Sequence, residues 1–409
     1  MEAPSPSDAH WFDRCTTPLN ACSLETFDCQ HTARSDSSDQ EGGTSDDVPL
    51  VIGCYQLNER AATAQSGDDP CGDNQDASSC RSGELRLHMI GPSELSFGNE
   101  PVDIIPMESG VLDGKWRRKP ARDGEAAIFA SACASGRIHL HTLKKDEKWS
   151  LSPAASTCDE SNEDGASICL ALAWNDVVNA DEEDGDRIVA SYSNGAVALH
   201  DVGEVNGSIH VNESIRWKAH SMFGCPSEVW TCSFLRGSRS VVLSGADDCT
   251  LKLWDIRETQ RPVNKIGEEE FEAGVTAISP QPSLDHIFAA GSYDEHVRIF
   301  DDRKLHEPLS KVHVGGGVWR IKWHPSCWKR GGSRQHFGKM LVAAMHGGCR
   351  LVEAAALLET ESDETTIISK FTAHESMAYG SDWVSADAVA SCSFYDRQVF
   401  LWDPYRVQS

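Results

Sequence analysis

An all-β fold made of seven similar units is what this sequence predicts, on three observations. A short strand phrase recurs along the chain, its copies stand at a near-constant interval, and apolar residues within each copy alternate with period two. The clearest copy is Gly245 to Arg257, GADDCTLKLWDIR, where a tight acidic turn ending at Asp248 feeds a strand with Leu251 and Leu253 on one face and Thr250 and Lys252 on the other. Aligned on their last residues, the copies are SGELRLHM ending at Met89, SGRIHLHT at Thr142, NGAVALHD at Asp201, CTLKLWD at Asp255, EHVRIFD at Asp301, GGCRLVE at Glu353 and RQVFLWD at Asp403. Their ends lie 53, 59, 54, 46, 52 and 50 residues apart.

A turn, a strand and a Trp-Asp ending at a period of roughly 40 to 50 residues mark the WD40 β-propeller, in which each repeat supplies one four-stranded blade. The expected architecture is therefore all-β: a seven-bladed WD40 β-propeller closed by an N-terminal strand, with polar loop insertions. Seven repeats use most of the 409 residues, so one ring is assigned to 19–409. Because the last repeated strand ends at Asp403, that blade lacks an outer strand unless residues 1–18 supply it, and Trp11 to Thr16 is the segment assigned to this closure. Such pairing removes the free edges that make open sheets adhesive.

Taken in order, the first blade runs from Leu19 to Met89, interrupted at 30–47 and 61–81 by Ser-, Asp-, Gly- and Gln-rich stretches that read as disordered insertions. The second covers about Val111 to Leu151 and the third Ile168 to Trp217, with acidic loops at Ser156 to Ala166 and Asn179 to Asp186. The innermost strands of the last four begin at EVWTCSF (Glu228), GVTAISP (Gly274), GVWRIKWHP (Gly317) and AYGSDW (Ala378). Aligning these starts puts Trp230, Trp319 and Tyr379 at one shared position, so three aromatics converge on one mouth of the ring, where packing between blades is the ordinary alternative role.

Composition limits the partners. Lys plus Arg total 37 against 63 Asp plus Glu, and a formal net charge of −26 disfavours nucleic acid and acidic membranes while favouring a cationic ligand. The 15 cysteines are odd in number and never spaced as CxxC, which indicates neither a zinc site nor a disulfide framework and points to a reducing compartment. No cofactor motif is present. With no apolar N-terminal core and no long apolar run, a soluble intracellular protein is expected.

Chemistry has few candidate carriers. The turn acids Asp248, Asp294 and Asp396 read as structural, since a carboxylate there accepts backbone N–H bonds. The sixth repeat departs from this rule by placing His346 in the Asp slot of AAMHGG, where it is either a solvated turn histidine or an imidazole that takes a proton from water near neutral pH. Gly315, Gly316 and Gly317 precede the sixth blade, and their amides are candidate donors to an oxyanion, or else a hinge. HESMAYGSDW brings Ser376, His374 and Asp382 close in sequence, although no GxSxG elbow is present.

At these residues the chain resembles the WD40 family of diphthine methyl ester hydrolases, also called diphthine methyltransferases. The phrases that carry it are EVWTCSF, SGADDCTLKLWD, AAGSYDEHVRIFDDRK, GGGVWRIKWHP, AAMHGG and HESMAYGSDW, from about Glu228 to Trp383. The N-terminal half fits more loosely, through SGELRLH and SGRIHLH. The resemblance implies a cytoplasmic enzyme of diphthamide biosynthesis that acts on elongation factor 2, hydrolysing the methyl ester of methylated diphthine to diphthine and methanol before amidation. Diphthine carries a trimethylammonium group, for which Trp230, Trp319 and Tyr379 are an expected aromatic cage, with Glu228 adding charge. The expected catalytic set is His346 as general base on water, oriented by Asp382, with Gly316 and Gly317 or Tyr379 as oxyanion donors and Ser376 as the alternative nucleophile. A monomer is expected. The competing function is a non-catalytic adaptor or substrate receptor, since propellers serve most often as scaffolds.

Overall fold

The computed structural model describes residues 7–27, 47–57, 81–91, 95–118, 126–158, 167–175, 185–328, 336–358 and 365–407. The expected insertions at 30–47 and 61–81 lie outside these residues, apart from Asp47 and Arg81. Among the described residues there is no α-helix, only strands and short 3-10 turns.

Among the described residues five antiparallel sheets have four strands each, one sheet has eight, and a two-stranded ribbon pairs Ser221–Met222 with Cys225–Pro226. The eight-stranded sheet is two four-stranded sets. Arg320–Trp323, Lys339–Ala343, Cys349–Ala354 and Thr365–Phe371 form the first, and Ala378–Trp383, Val389–Ser393, Gln398–Val407 and Ser7–Thr16 form the second. The two are joined where Ser7 and Asp8 pair in parallel with Ser369 and Lys370. The N-terminal strand lies antiparallel to Gln398–Val407, with Trp11 opposite Trp402, a bulge at Phe12, and continuous register from Asp13 opposite Leu401 to Thr16 opposite Gln398.

Each set packs against the next through its own apolar cluster. Leu85, Val111 and Phe129 belong to one such cluster, and Ile321, Val297 and Met340 to another. The innermost strands touch in chain order, and Ala378–Trp383 returns to touch Asn20–Thr26. At that junction a Cβ on Gly380 would stand 2.9 Å from Leu24 Cβ, so only glycine permits the approach. The result is an all-β, propeller-like arrangement.

The outer strands differ from the sequence expectation. The first set ends at Asp103–Met107 rather than Met89, and the second at Ser156 rather than Leu151. Asp103–Met107 alternates between intermediate and exposed residues without burying any, so it carries little of the hydrophobic signal that marks a strand.

The repeated Trp-Asp phrases are tied down by polar bonds. Trp254 donates its indole N–H to Ser244 Oγ at 2.8 Å, Ser244 meets His220 Nε2 at 2.7 Å, and His220 Nδ1 meets Asp248 Oδ1 at 2.9 Å. In the last set Trp402 donates to Ser391 Oγ at 3.0 Å and His374 Nε2 meets the same oxygen at 2.8 Å. Asp294 receives Arg298, and Asp396 receives the amides of Glu375 and Gln398. The turn acids are thus structural. Burial pushes the Asp248 carboxyl up, but His220, Thr250 and Lys252 outweigh it and bring it down to about 2.

Candidate functional site

The starts of the innermost strands set aromatic rings side by side at one mouth. Trp230 and Trp319 lie 5.7 Å apart at 56°, and Trp319 and Tyr379 stack at 4.8 Å and 25°. The three expected rings therefore meet, but not as a cage. Tyr379 lies so flat on Trp319 that no group fits between them, and it continues instead to Phe394 at 5.3 Å and, through Phe394, to Tyr55 at 5.0 Å. The third ring beside Trp230 and Trp319 is Tyr293, 6.3 Å from each.

Two left-handed residues bring a carboxylate to the imidazole at the rim. Glu295 has φ +66° and Met345 φ +40°, conformations that non-glycine residues seldom adopt. They present Glu295 Oε1 3.6 Å from His346 Nε2, within ion-pair range, while Glu295 Oε2 meets His313 Nε2 at 2.8 Å. The His346 side chain is 66 % exposed and so open to solvent and ligand. Met345 joins this rim to the rings, since its carbonyl accepts the Ala378 amide at 3.0 Å, one residue before Tyr379.

The glycine triplet is closely packed beneath His346. A Cβ on Gly316 would stand 2.1 Å from the Ala344 carbonyl oxygen, and one on Gly317 would stand 3.0 Å from Met345 Sδ. Among the described residues the amides of Gly315, Gly316 and Gly317 donate to no acceptor, and neither does the buried Trp319 indole N–H. An unpaired buried N–H such as that of the Trp319 indole is costly, and a ligand oxygen would relieve that cost.

Beneath the rings the centre of the molecule is filled by charge. Arg320 Nη2 bonds Asp113 Oδ1 at 3.0 Å, Lys115 bonds Asp113 at 2.6 Å and Glu25 at 2.9 Å, and Lys322 reaches both Glu25 and Asp382. Asp382 Oδ2 also accepts the Thr26 amide at 3.0 Å, and Oδ1 the Trp383 amide at 2.9 Å. Burial raises the Asp382 carboxyl, but Lys322, Arg118 and these amides hold it below the ordinary carboxylate range.

Asp382 therefore does not orient His346 as the sequence suggested. Its carboxylate is committed to the central network, and Glu295 stands beside His346 instead. Ser376 is not brought to a base either. Its Oγ accepts the Tyr395 amide at 3.3 Å, while His374 is bonded to Ser391. Glu228 is exposed at the rim, its carbonyl receiving the Asp247 amide at 3.0 Å.

Comparison with known proteins identifies the lineage. The model described as "WD domain, G-beta repeat" matches residues 216–255 and 263–301. Diphthine methyltransferase of Homo sapiens is 31 % identical over 343 residues, covering 82 % of this chain and 69 % of that protein. The Mus musculus protein of the same name is 32 % identical, covering 82 % of this chain and 64 % of its own length, and a Dictyostelium discoideum homolog is 29 % identical, covering 74 % and 78 %. The chain belongs to the diphthine methyltransferase family.

For this member of the diphthine methyltransferase family, sequence reasoning missed Tyr293, Glu295 and Asp247. Asp247 and Tyr293 each immediately precede a turn acid, a place that also holds Tyr395 in the last repeat. The residue before each turn acid is thus the sequence signal for Asp247 and Tyr293. Among the described residues no group of His, Cys, Asp and Glu is arranged to hold a metal ion, and no helix is long and apolar enough to cross a membrane.

Proposed function

We propose that this chain hydrolyses the methyl ester of methylated diphthine on elongation factor 2, a step of diphthamide biosynthesis that precedes amidation, as a cytoplasmic monomer. Its framework in this reading is a closed seven-bladed propeller whose last blade is completed by the N-terminal strand, supported by the cyclic contact of the innermost strands. The observation that carries the chemistry is the solvent-open His346–Glu295 pair beside the aromatic mouth, in a chain of the diphthine methyltransferase family.

Glu295 faces His346 Nε2, so the other ring nitrogen, Nδ1, takes a proton from a water, and the hydroxide formed attacks the ester carbonyl carbon. Glu295 orients the imidazole and stabilises its charged form, as a carboxylate does beside a general base. The glycine amides receive the negative oxygen of the tetrahedral intermediate. When the C–O bond to the methoxy group breaks, imidazolium returns the proton, methanol leaves and diphthine remains as a carboxylate. No residue forms a covalent intermediate, which suits a site where Ser376 has no base.

The test is to incubate the purified chain with elongation factor 2 carrying methylated diphthine and follow intact mass. Loss of about 14 mass units, the difference between a methyl ester and its acid, is expected with the native chain and not with His346→Ala. An unchanged mass with retained binding of the factor identifies a non-catalytic adaptor instead.

A further inference from the structure

The mouth holds an acidic group that the chemistry above does not use. Asp247 Oδ1 accepts the Trp230 indole N–H at 2.7 Å. Gly274 makes that placement possible, because a Cβ there would stand 2.5 Å from Asp247 Oδ1 and 3.3 Å from Tyr293 Cδ2. The carboxylate is thereby held at the edge of a triangle of rings, with centroid separations of 5.7 Å for Trp230–Trp319, 6.3 Å for Trp230–Tyr293 and 6.3 Å for Tyr293–Trp319. The interplanar angles of 56°, 84° and 38° stack none of these pairs face to face, unlike Trp319 on Tyr379.

The neighbouring cations have their own partners. Arg320, 5.6 Å from the Trp319 ring, is bonded to Asp113, and Lys252 is bonded to Asp248 and the Ala219 carbonyl. Among the described residues the Asp247 carboxylate is bonded to an uncharged donor, the Trp230 indole, and not to a cation, and exposed Glu228 lies beside it in the chain fold. The balance of charge at this triangle is negative.

We propose that Trp230, Tyr293, Trp319 and Asp247 form a binding site for a quaternary ammonium group. Such a group donates no hydrogen bond, so it is told from a neutral tert-butyl group only by ring faces and nearby negative charge, which are what this corner supplies. The identity of the natural ligand, the trimethylammonium of diphthine, rests on the function proposed above. The site itself does not.

Choline and its uncharged isostere 3,3-dimethyl-1-butanol are titrated into the full chain and read by tryptophan fluorescence and calorimetry. Choline should bind about tenfold or more tightly than the isostere, and Asp247→Asn should remove most of that preference while leaving the melting midpoint unchanged. Asparagine retains the oxygen that accepts from Trp230, so lost choline binding reports charge rather than fold. Tyr293→Leu should weaken choline by about tenfold as well. Equal binding of choline and isostere, or an Asp247→Asn chain that binds choline like the native one, overturns the site. Selective choline binding, lost in Asp247→Asn, by a chain that leaves the methylated factor unchanged in mass keeps this site and discards the hydrolysis. Hydrolysis by Asp247→Asn with the native KM keeps the hydrolysis and overturns the assignment of this site to the trimethylammonium of diphthine.

Discussion

Arg320 Nη2 lies 3.0 Å from Asp113 Oδ1, a bond between residues 207 apart whose sheets are not neighbours in the ring of contacts. It spans the centre of the molecule directly beneath the Trp319 ring. Both side chains are largely buried, at 13 % and 3 % exposure, so each charge depends on the other.

Removing one partner alone should therefore be expensive. Arg320→Met is expected to destabilise the fold by about 3–5 kcal/mol, because Asp113 is left buried with one cation fewer, Lys115 and the Leu172 amide alone compensating it among the described residues. Urea unfolding of Arg320→Met, Asp113→Leu and the double variant checks this. Strictly additive losses would show that the bond across the centre contributes nothing.

Glu295→Gln tests the pair at the rim. Glutamine keeps the size of the side chain but cannot stabilise imidazolium, so kcat on the methylated factor should fall by roughly 10²-fold with KM nearly unchanged. A fall in KM-related binding with native kcat would move Glu295 from catalysis to substrate contact.

Acid should loosen the fold well above the carboxylate range. Burial lowers His88, His141, His200 and His374 to about 4, each from an ordinary value near 6.5. Below pH 6.5 the unfolded chain takes up these protons first, so stability is fully present above that pH and is lost as pH falls toward 4. The loss is on the order of several kcal/mol, read as a falling urea midpoint between pH 7 and pH 4.5. A flat midpoint over that range contradicts neutral burial of these imidazoles.

The Trp254–Ser244–His220–Asp248 chain should be a stability element with no part in chemistry. Ser244→Ala leaves the buried Trp254 N–H without its acceptor and His220 Nε2 without its donor, and is expected to cost about 1–3 kcal/mol. Its kcat should match the native value after correction for the unfolded fraction, and a lost kcat in a fully folded variant would contradict the assignment.

Deleting residues 1–18 exposes the edge of Gln398–Val407, which now pairs with Ser7–Thr16. The melting midpoint should fall and aggregation rise. An unchanged melting curve would mean that the pairing adds little to the fold.

The sequence by itself determined the repeats, the structural role of the turn acids and the convergence of Trp230, Trp319 and Tyr379. These follow from local rules: period-two alternation, turn chemistry and equal positions in equal units. It also singled out His346, because an imidazole in an aspartate's place is visible in one line of text.

Only the tertiary structure decided which groups meet. Asp382 is close to His374 in sequence, yet its side chain turns inward to Lys322 and Thr26, while Glu295, 51 positions before His346, reaches the rim. Tyr379 matches Trp230 in register but stacks flat on Trp319, so Tyr293 takes the place beside those two rings. The reason is physical. Register fixes the level of a residue along its strand, whereas partners at a mouth come from turns of different repeats, and their distances depend on how each sheet tilts and packs against the next.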